Sequence, residues 1–289
     1  MDKRKILIQL DSDAQPSVFD RVVAIDAGAD KVFSYGGVKP EQVRDIVHGA
    51  IFTRGPDDLK HTAIFIGGSD VAAGERLLVE ARKHLIPAAR LSVSILLDAN
   101  GANTTAAAAV RAAARHLDLK TTQGLVLGGT GPVGQRVALL LAREGAAVRV
   151  GSRQLARSSG VCQAIRAKAP DAKLEPVATG SAEELRAALA GRTLVVAAGA
   201  AGAVLLPKET RMAFPGLRVV IDLNAVPPLG IEGVGVTDKA TQRDGAIAYG
   251  AIAVGGTKMK IHKAAIARLF ESNDQVLDEE EVYALAQSF

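Results

Sequence analysis

The sequence has almost none of the residues that build disulfide frameworks, metal clusters or aromatic binding platforms. It contains one cysteine, Cys162, which excludes an intrachain disulfide and a metal site made of several thiolates. It has no tryptophan and only 3% aromatic residues, which leaves few rings on which nucleic-acid bases could stack. The five histidines do not stand at the spacing of metal ligands. We therefore expect neither a bound metal nor a nucleic-acid partner.

Long hydrophobic runs and strong charge are also missing. No apolar stretch reaches the length of about 20 residues that a membrane helix needs. The apolar residues that follow Lys5 stop before Asp11, too early for a secretory signal. The net charge is only +4, and the basic residues are scattered. These features predict a cytoplasmic protein without a membrane partner, and they still allow a local basic site for an anionic cofactor or substrate.

The 48% of hydrophobic residues follow a pattern typical of an α/β protein. Apolar runs of strand length alternate with helical stretches along the chain, which predicts mostly parallel sheets. Strands are predicted at 5–10, 31–35, 62–66, 91–97, 125–127, 146–150, 173–177, 193–198, 218–222 and 246–249. A length of 289 residues suits two domains. We predict a substrate domain from residues 1–118 and 265–289, and a Rossmann-type dinucleotide-binding domain from residues 119–264.

The clearest functional motif is Gly129-Thr130-Gly131-Pro132-Val133-Gly134, which lies between a predicted strand and a predicted helix. It fits the pattern G-x-G-x-x-G. In that context the first glycine makes the tight turn, the second lets a pyrophosphate approach the backbone, and the third lets helix and strand pack closely. The N–H groups and the dipole at the helix start attract the phosphate. Small residues after a later strand predict that Ala198 and Gly199 also border the dinucleotide.

The end of the strand predicted at 146–150 indicates which nicotinamide cofactor binds. An NAD site places Asp or Glu there to bind the ribose 2′-hydroxyl. This chain instead continues Gly151-Ser152-Arg153-Gln154, without a carboxylate. Ser152 can donate a hydrogen bond and Arg153 can pair with a phosphate, with Arg157 close behind. Unless Arg153 is only a solvated loop residue, this pattern predicts NADP as the cofactor.

Two further stretches carry polar side chains suited to a site. Lys258 and His262 stand four residues apart in a helix predicted at 257–270, so they share one face, either in a site or toward water. A polar turn with Asn103 and Thr104 follows the strand predicted at 91–97. Either residue suits the N-cap of a helix predicted at 106–117. Polar groups at the carboxyl end of a strand also face the ligand crevice of α/β sheets, and the two roles can coexist.

Seven stretches spread over nearly the whole chain carry a family resemblance. They are 13–20 (DAQPSVFD), 51–55 (IFTRG), 63–68 (AIFIGG), 98–105 (DANGANTT), 129–134 (GTGPVG), 222–231 (DLNAVPPLGI) and 255–262 (GGTKMKIH). Together they resemble the NADP-dependent methylene-tetrahydromethanopterin dehydrogenases of methylotrophic bacteria. The resemblance implies two α/β domains similar to those of methylene-tetrahydrofolate dehydrogenases, a pterin substrate held between them, and a homo-oligomer described as a homotrimer.

The resemblance also implies a reaction and a set of residues. Hydride would pass from the methylene carbon of the pterin to the nicotinamide. The family's active-site residues fall by motif on Phe19, Thr104, Lys258 and His262. A lysine opposes the methenyl cation that forms, so Lys258 would need a partner. Asp20 and Asp98 are the candidates, and together with Asn103 they are the predicted substrate contacts. Asn224, in the stretch 222–231, is the last predicted cofactor contact.

Three alternatives remain open at this point. The substrate could be methylene-tetrahydrofolate as well as methylene-tetrahydromethanopterin, because both present similar reactive rings. Another Rossmann reductase, similar to shikimate dehydrogenase, would need a Lys/Asp pair in its substrate domain, and no clear equivalent is visible. A non-catalytic NADPH-binding regulatory protein would show the same glycine motif without turnover.

Overall fold

The computed structural model describes residues 3–289, which alternate between strands and helices along most of their length. The strands are β1 (Ile6–Asp11), β2 (Lys31–Tyr35), β3 (Thr62–Gly67), β4 (Ser94–Leu97), β5 (Gln123–Leu127), β6 (Ala147–Ser152), β7 (Leu174–Ala178), β8 (Leu194–Ala197), β9 (Val219–Asp222), β10 (Lys239–Arg243), β11 (Ala246–Tyr249) and β12 (Val276–Leu277). The helices are α1 (Val18–Asp26), α2 (Pro40–Ile51), α3 (Val71–Lys83), α4 (Ala102–Ala114), α5 (Pro132–Arg143), α6 (Leu155–Lys168), α7 (Ala182–Leu189), α8 (Lys208–Met212), α9 (Ala251–Arg268) and α10 (Glu279–Ala286).

The chain divides into two compact units. The first unit comprises residues 3–104 and 259–288, and the second comprises residues 105–258 with Phe289. Both divisions fall inside helices, α4 and α9, where the sequence has no turn or linker to mark a boundary. The predicted bounds, at 118/119 and 264/265, lie further along the chain. Their assignment to a substrate and a cofactor domain stays a prediction, because compactness does not show what a unit binds.

The first unit contains a parallel sheet in the order β12-β4-β3-β1-β2. Every residue of β3 is buried, which explains its continuous hydrophobic run, since a parallel sheet is covered on both faces. In register, Asp11 at the end of β1 stands opposite Gly67 at the end of β3. Asp98 follows β4 directly. The carboxyl ends of these strands therefore place polar groups along one edge of the sheet.

The second unit contains a sheet in the order β10-β11-β9-β8-β5-β6-β7. All neighbours pair in parallel except the hairpin of β10 and β11. From β5 the chain builds outward through β6 and β7, and then returns to the other side of β5 with β8. Ligands of α/β proteins bind where the strand order reverses in this way, outside the carboxyl ends of the strands. The loop that follows β5 is the one that carries the glycine motif.

Several elements of the fold differ from the sequence-based expectations, among them β4, which begins at Ser94 and not at residue 91. The helix predicted at 257–270 begins at Ala251, so Gly255 and Gly256 lie inside α9 and not in a loop before it. Two glycines lower helix propensity by about 1 kcal/mol each, an amount that tertiary packing overrides. Strands β10 and β12 were not predicted, because β10 is polar and largely exposed and β12 has two residues. No helix in residues 3–289 combines the length and the apolar character that a membrane crossing requires.

Candidate functional site

The glycine loop of the second unit forms the tight turn that its sequence predicts. It leaves β5 through Gly128, whose φ of +66° favours glycine, and it ends at Gly131, the N-cap of α5. Pro132 occupies the first turn of α5, where its missing N–H costs nothing. Because Gly131 has no side chain to cap the helix, the amino end of α5 remains available to an anion.

The loop packs so closely that side chains are excluded at two positions. A Cβ on Gly134 would lie 2.6 Å from the carbonyl oxygen of Gly128 and 2.8 Å from the Cα of Gly129. A Cβ on Gly128 would lie 2.5 Å from the Cα of Gly199. The role predicted for the third glycine is therefore visible as close packing of α5 on the loop. Gly128 precedes the motif, so the pattern alone did not identify it.

A cavity of about 870 Å³ opens beside this loop, and all of its lining residues belong to the second unit. It is lined by Leu127, Gly128, Thr130, Gly131, Ser152, Arg153, Gln154, Arg157, Thr179, Gly180, Ala198, Gly199, Ala200, Ala203, Val204 and Leu205. Six predicted cofactor residues are among them: Thr130, Gly131, Ser152, Arg153, Ala198 and Gly199. Of the other predicted residues, Gly129, Pro132, Val133 and Gly134 build the loop behind the lining. The volume lies within the range usual for small-molecule sites.

The charged residues that line the cavity are all basic. Arg153 and Arg157 both line the cavity, and the lining includes no Asp or Glu. Both arginines are exposed, and within residues 3–289 neither guanidinium makes a hydrogen bond or an ion pair. The hydroxyl oxygen of Ser152 accepts a bond from the Gln154 N–H at 3.3 Å, which bends the chain at the end of β6. This wall suits an anion.

Asn224 lies away from the lining and serves the loop after β9. Its side-chain oxygen accepts from the Val226 N–H at 3.0 Å, and its amide donates to the Pro228 carbonyl at 3.3 Å. Asp222 holds the same loop by accepting from the Ile231 N–H at 2.8 Å. Burial raises the pKa of the Asp222 carboxyl, while these backbone hydrogen bonds oppose the rise. The structure thus gives Asn224 a loop-holding role, and its predicted contact with the cofactor stays a prediction.

In the first unit, the buried carboxylate of Asp98 organises the start of α4. One oxygen accepts from the backbone N–H groups of Asn103 and Thr104, both at 3.0 Å. The other oxygen accepts from the Thr104 hydroxyl at 2.7 Å. The expectation that Asn103 or Thr104 caps the helix is therefore wrong. The helix begins at Ala102, both residues lie in its first turn, and Asp98 supplies the cap.

His262 lies between two carboxylates and is completely buried, at 0% exposure. Its Nδ1 is 3.9 Å from an Asp98 oxygen, and its Nε2 is 4.0 Å from an Asp20 oxygen. The ring of Phe65 stacks on the imidazole, with centroids 5.7 Å apart and planes inclined by 25°. Neither nitrogen-to-oxygen distance is short enough for a hydrogen bond, so Phe65 packs directly on the ring while the two carboxylates face its nitrogens.

Phe19 and Asp20 reach this cluster from the first turn of α1. The turn is fixed by Ser17, whose hydroxyl accepts from the Asp20 N–H at 3.2 Å. The ring centroid of Phe19 is 6.3 Å from that of His262. Phe19 is nevertheless 50% exposed, so a ligand can reach its ring.

The structure therefore brings five of the predicted residues together within the first unit. They are Phe19, Asp20, Asp98, Thr104 and His262. Lys258 lies one turn before His262 on α9, but it belongs to the second unit. Asn103 is near the cluster, yet its side chain points inward to the Leu97 carbonyl at 2.7 Å. Phe65 was missed, because an aromatic residue inside a buried strand gives no local signal that it touches a histidine.

The described residues contain no group of three or more His, Cys, Asp or Glu side chains arranged to hold a metal ion. The cluster around His262 supplies one imidazole and two carboxylates, and the Asp98 carboxylate already accepts three hydrogen bonds. Its chemistry is that of hydrogen bonding and charge.

Comparison with known proteins adds a family to this geometry. Residues 18–100 match the family model described as methylene-tetrahydromethanopterin dehydrogenase, N-terminal. Two relatives come from Methylorubrum extorquens AM1. The bifunctional protein MdtA is 43% identical over 288 residues, covering 98% of each chain. The NAD(P)-dependent methylenetetrahydromethanopterin dehydrogenase is 32% identical over 299 residues, again covering 98% of each chain.

Solved structures show the same fold at low identity. Quinate dehydrogenase from Corynebacterium glutamicum, in complex with NAD, superposes with a TM-score of 0.54 at 13% identity, covering 99% of this chain and 100% of that one. Shikimate 5-dehydrogenase from Listeria monocytogenes superposes with a TM-score of 0.54 at 14% identity, covering 98% of this chain and 96% of that one. These similarities confirm the predicted α/β fold with a Rossmann-type unit, and at such identity they concern the fold alone.

Proposed function

The chain belongs to the methylene-tetrahydromethanopterin dehydrogenase family, and we propose that it oxidises methylene-tetrahydromethanopterin with NADP⁺ as hydride acceptor. The product is the methenyl form, as one-carbon (formaldehyde) oxidation requires. The observation that carries the reaction is the similarity over 98% of the chain to an NAD(P)-dependent methylenetetrahydromethanopterin dehydrogenase. A shikimate-dehydrogenase-like reductase is not favoured, because the similarity of this chain to shikimate dehydrogenase concerns the fold alone.

The reaction needs positioning more than proton transfer. The methenyl cation is stabilised by the two nitrogens that flank its carbon, so no proton leaves in the hydride step. NADP⁺, when bound, supplies the acceptor carbon of the nicotinamide. The residues that would hold it are the glycine loop, Ser152 and Arg153. The fit is supported by the cavity beside the loop, whose lining includes Gly131, Ser152 and Arg153 and no Asp or Glu.

The first unit supplies the surfaces for the pterin. Phe19, half-exposed, would pack against the pterin or its aryl ring. Asp20 is partly exposed beside His262 and can accept a hydrogen bond from the substrate. Thr104 and Asp98 are buried and bonded to each other, so they would orient His262 and not bind the pterin directly. Lys258 belongs to the second unit, and its role in orienting the substrate stays a prediction.

The proposed activity is tested by a spectrophotometric assay of nicotinamide reduction. The purified chain is combined with methylene-tetrahydromethanopterin or methylene-tetrahydrofolate, and with NADP⁺ or NAD⁺. We expect turnover with the first pterin and NADP⁺, and the folate arm measures how far the substrate range extends. Absence of turnover with all four pairs, together with tight NADPH binding, would favour the regulatory reading.

The choice of NADP⁺ is tested by Arg153→Gln. The variant loses a charge-assisted bond to the 2′-phosphate, worth about 1.5–3 kcal/mol, so we expect KM for NADP⁺ to rise roughly 10- to 100-fold. KM for NAD⁺, which lacks that phosphate, should change little. Arg186→Gln, which removes an exposed arginine from α7 of the same unit, is the matched control. An unchanged ratio of NADP⁺ to NAD⁺ efficiency in Arg153→Gln would contradict the assignment.

The number of subunits and the location in the cell stay predictions. The family resemblance supports a homotrimer, and sedimentation analysis of the purified chain measures its mass in solution. A cytoplasmic location agrees with the lack of a membrane-spanning helix among residues 3–289. Fractionation of cells that produce the protein tests it.

A further inference from the structure

The side chain of Asn103 connects two parts of the first unit that are far apart in sequence. Its amide donates to the Leu97 carbonyl at the end of β4, at 2.7 Å, and to an Asp278 carboxylate oxygen, at 3.0 Å. Asn103 is 1% exposed, so no substrate reaches it directly. Its neighbour in the first turn of α4 is Thr104, which shares the Asp98 cap with it.

Asp278 is the N-cap of α10, and its carboxylate also accepts a hydrogen bond from outside that helix. Its carboxylate accepts from the Glu279 N–H at 2.8 Å, and its own N–H donates to Glu281 at 3.0 Å, which completes a capping box. A helix cap of this kind is usually exposed to solvent and bonded only to its own helix. Here the same oxygen also receives the Asn103 amide, beside the buried Glu279.

We propose that Asn103 and Asp278 are positioning residues for the candidate site, with their hydrogen bond holding the first turn of α4 against the amino end of α10. The inference rests on the proposed function, since it concerns the placement of Thr104 and Asp98 beside His262. Asp98 receives both N–H groups of that turn and lies 3.9 Å from the His262 ring. A shift of Asn103 is therefore expected to displace the carboxylate that lies beside the histidine. Misplacement of a site by about 1 Å costs on the order of 100-fold in rate.

The charge around Asp278 makes its contact with Asn103 sensitive to pH. Burial and the adjacent Glu279 raise the pKa of Asp278 to about 7, while the Asn103 hydrogen bond opposes the rise. Glu279 and Glu281 face it from α10, and Asp98 faces Asn103 from the loop after β4. The pKa of Asp278 is raised from an ordinary 3.8. The stability that this group contributes is therefore fully present below pH 3.8, and it is lost as the pH rises through about 7.

The proposal is tested with Asp278→Ala and Asn103→Ala in the full chain. Each is expected to lower kcat/KM for the pterin about 10-fold or more, and the double variant should lose little beyond the larger single loss, because both remove one contact. KM for NADP⁺ should stay unchanged. The matched control is Asp70→Ala, which removes an N-cap bond from α3 of the same unit without a link to Asn103. If Asp70→Ala and Asp278→Ala lowered kcat/KM for the pterin by the same factor, the proposal would be overturned.

A second measurement does not depend on turnover. In isotope-labelled protein, the ring resonances of His262, assigned with His262→Gln, should shift in Asp278→Ala and remain unchanged in Asp70→Ala. Unshifted resonances in Asp278→Ala would overturn the positioning role, whereas missing turnover in the wild type concerns only the proposed function.

The conservative variant Asp278→Asn keeps an oxygen that accepts from Asn103 but cannot ionise. It should retain kcat/KM within about 3-fold of the wild type, and its Tm relative to the wild type should rise between pH 5 and pH 8. If Asp278→Asn is as impaired as Asp278→Ala, the carboxylate charge and not the hydrogen bond would matter, and the proposal would fail.

Discussion

Asp98→Ala is expected to lower kcat/KM for the pterin by about 100-fold or more and to destabilise the first unit. The substitution leaves two backbone donors, the N–H groups of Asn103 and Thr104, without their acceptor, and the Thr104 hydroxyl keeps only the Gly101 carbonyl at 3.3 Å. A buried donor that loses its partner costs about 1–3 kcal/mol, so the total loss of stability should be roughly 2 kcal/mol or more. His262 also loses the carboxylate beside its Nδ1.

The measurement is steady-state kinetics together with denaturant unfolding. Asp26→Ala is a suitable control, because Asp26 belongs to the same unit and makes an exposed ion pair with Lys263 at 2.9 Å. Exposed pairs contribute about 0–1 kcal/mol, so this variant should resemble the wild type in both assays. If Asp98→Ala and Asp26→Ala behaved alike, the organising role of Asp98 would be wrong.

Gly134→Ala is expected to abolish or severely weaken cofactor binding, with KM for NADP⁺ rising at least about 10-fold. The new methyl group would lie 2.6 Å from the Gly128 carbonyl oxygen, so helix α5 and the loop cannot both keep their places. Gly128 cannot move away easily, since it is packed against Gly199. Overpacking of this kind costs about 1–3 kcal/mol and displaces the backbone that would contact the pyrophosphate.

Gly160→Ala is the matched control in the same unit. Gly160 lies inside α6, and a Cβ there would meet no atom within 4 Å. Alanine is the better helix former, so this variant should gain about 0.5–1 kcal/mol of stability with unchanged KM for NADP⁺. Calorimetric titration of NADPH and thermal unfolding of both variants provide the measurements. Wild-type affinity for NADPH in Gly134→Ala would contradict the geometric argument.

Much of the fold could be predicted because its signals are local. Continuous apolar runs mark parallel strands whether or not their partners are known, and β2 and β11 have the predicted bounds. The bounds of α9 could not be predicted in this way. Its first turns contain Gly255 and Gly256, and the residues that override their low helix propensity come from elsewhere in the chain.

The candidate site also has one part that local sequence predicts and another part that only the fold brings together. The glycine loop lies in one short stretch of sequence, so a turn before a helix could be predicted, although Gly128, the residue with positive φ, lies one position before the motif. The pairing of His262 with Asp98 joins positions far apart in the chain, and only the fold places them 3.9 Å apart. The direction of the Asn103 side chain was unpredictable for a further reason. An asparagine after a strand can face solvent or the interior, and the choice here depends on Asp278.

Strand β12 and its neighbours give the first unit a particular order of assembly during synthesis. Residues 3–104 leave the ribosome long before residues 259–288, although both segments belong to one compact unit. Until Val276 and Leu277 emerge, the outer edge of β4 has no partner, and unpaired strand edges invite association with other chains. His262 and Asp278 arrive in the same late segment. A nascent chain therefore acquires a completed sheet and a completed candidate site together, after residues 105–258 of the second unit have been made.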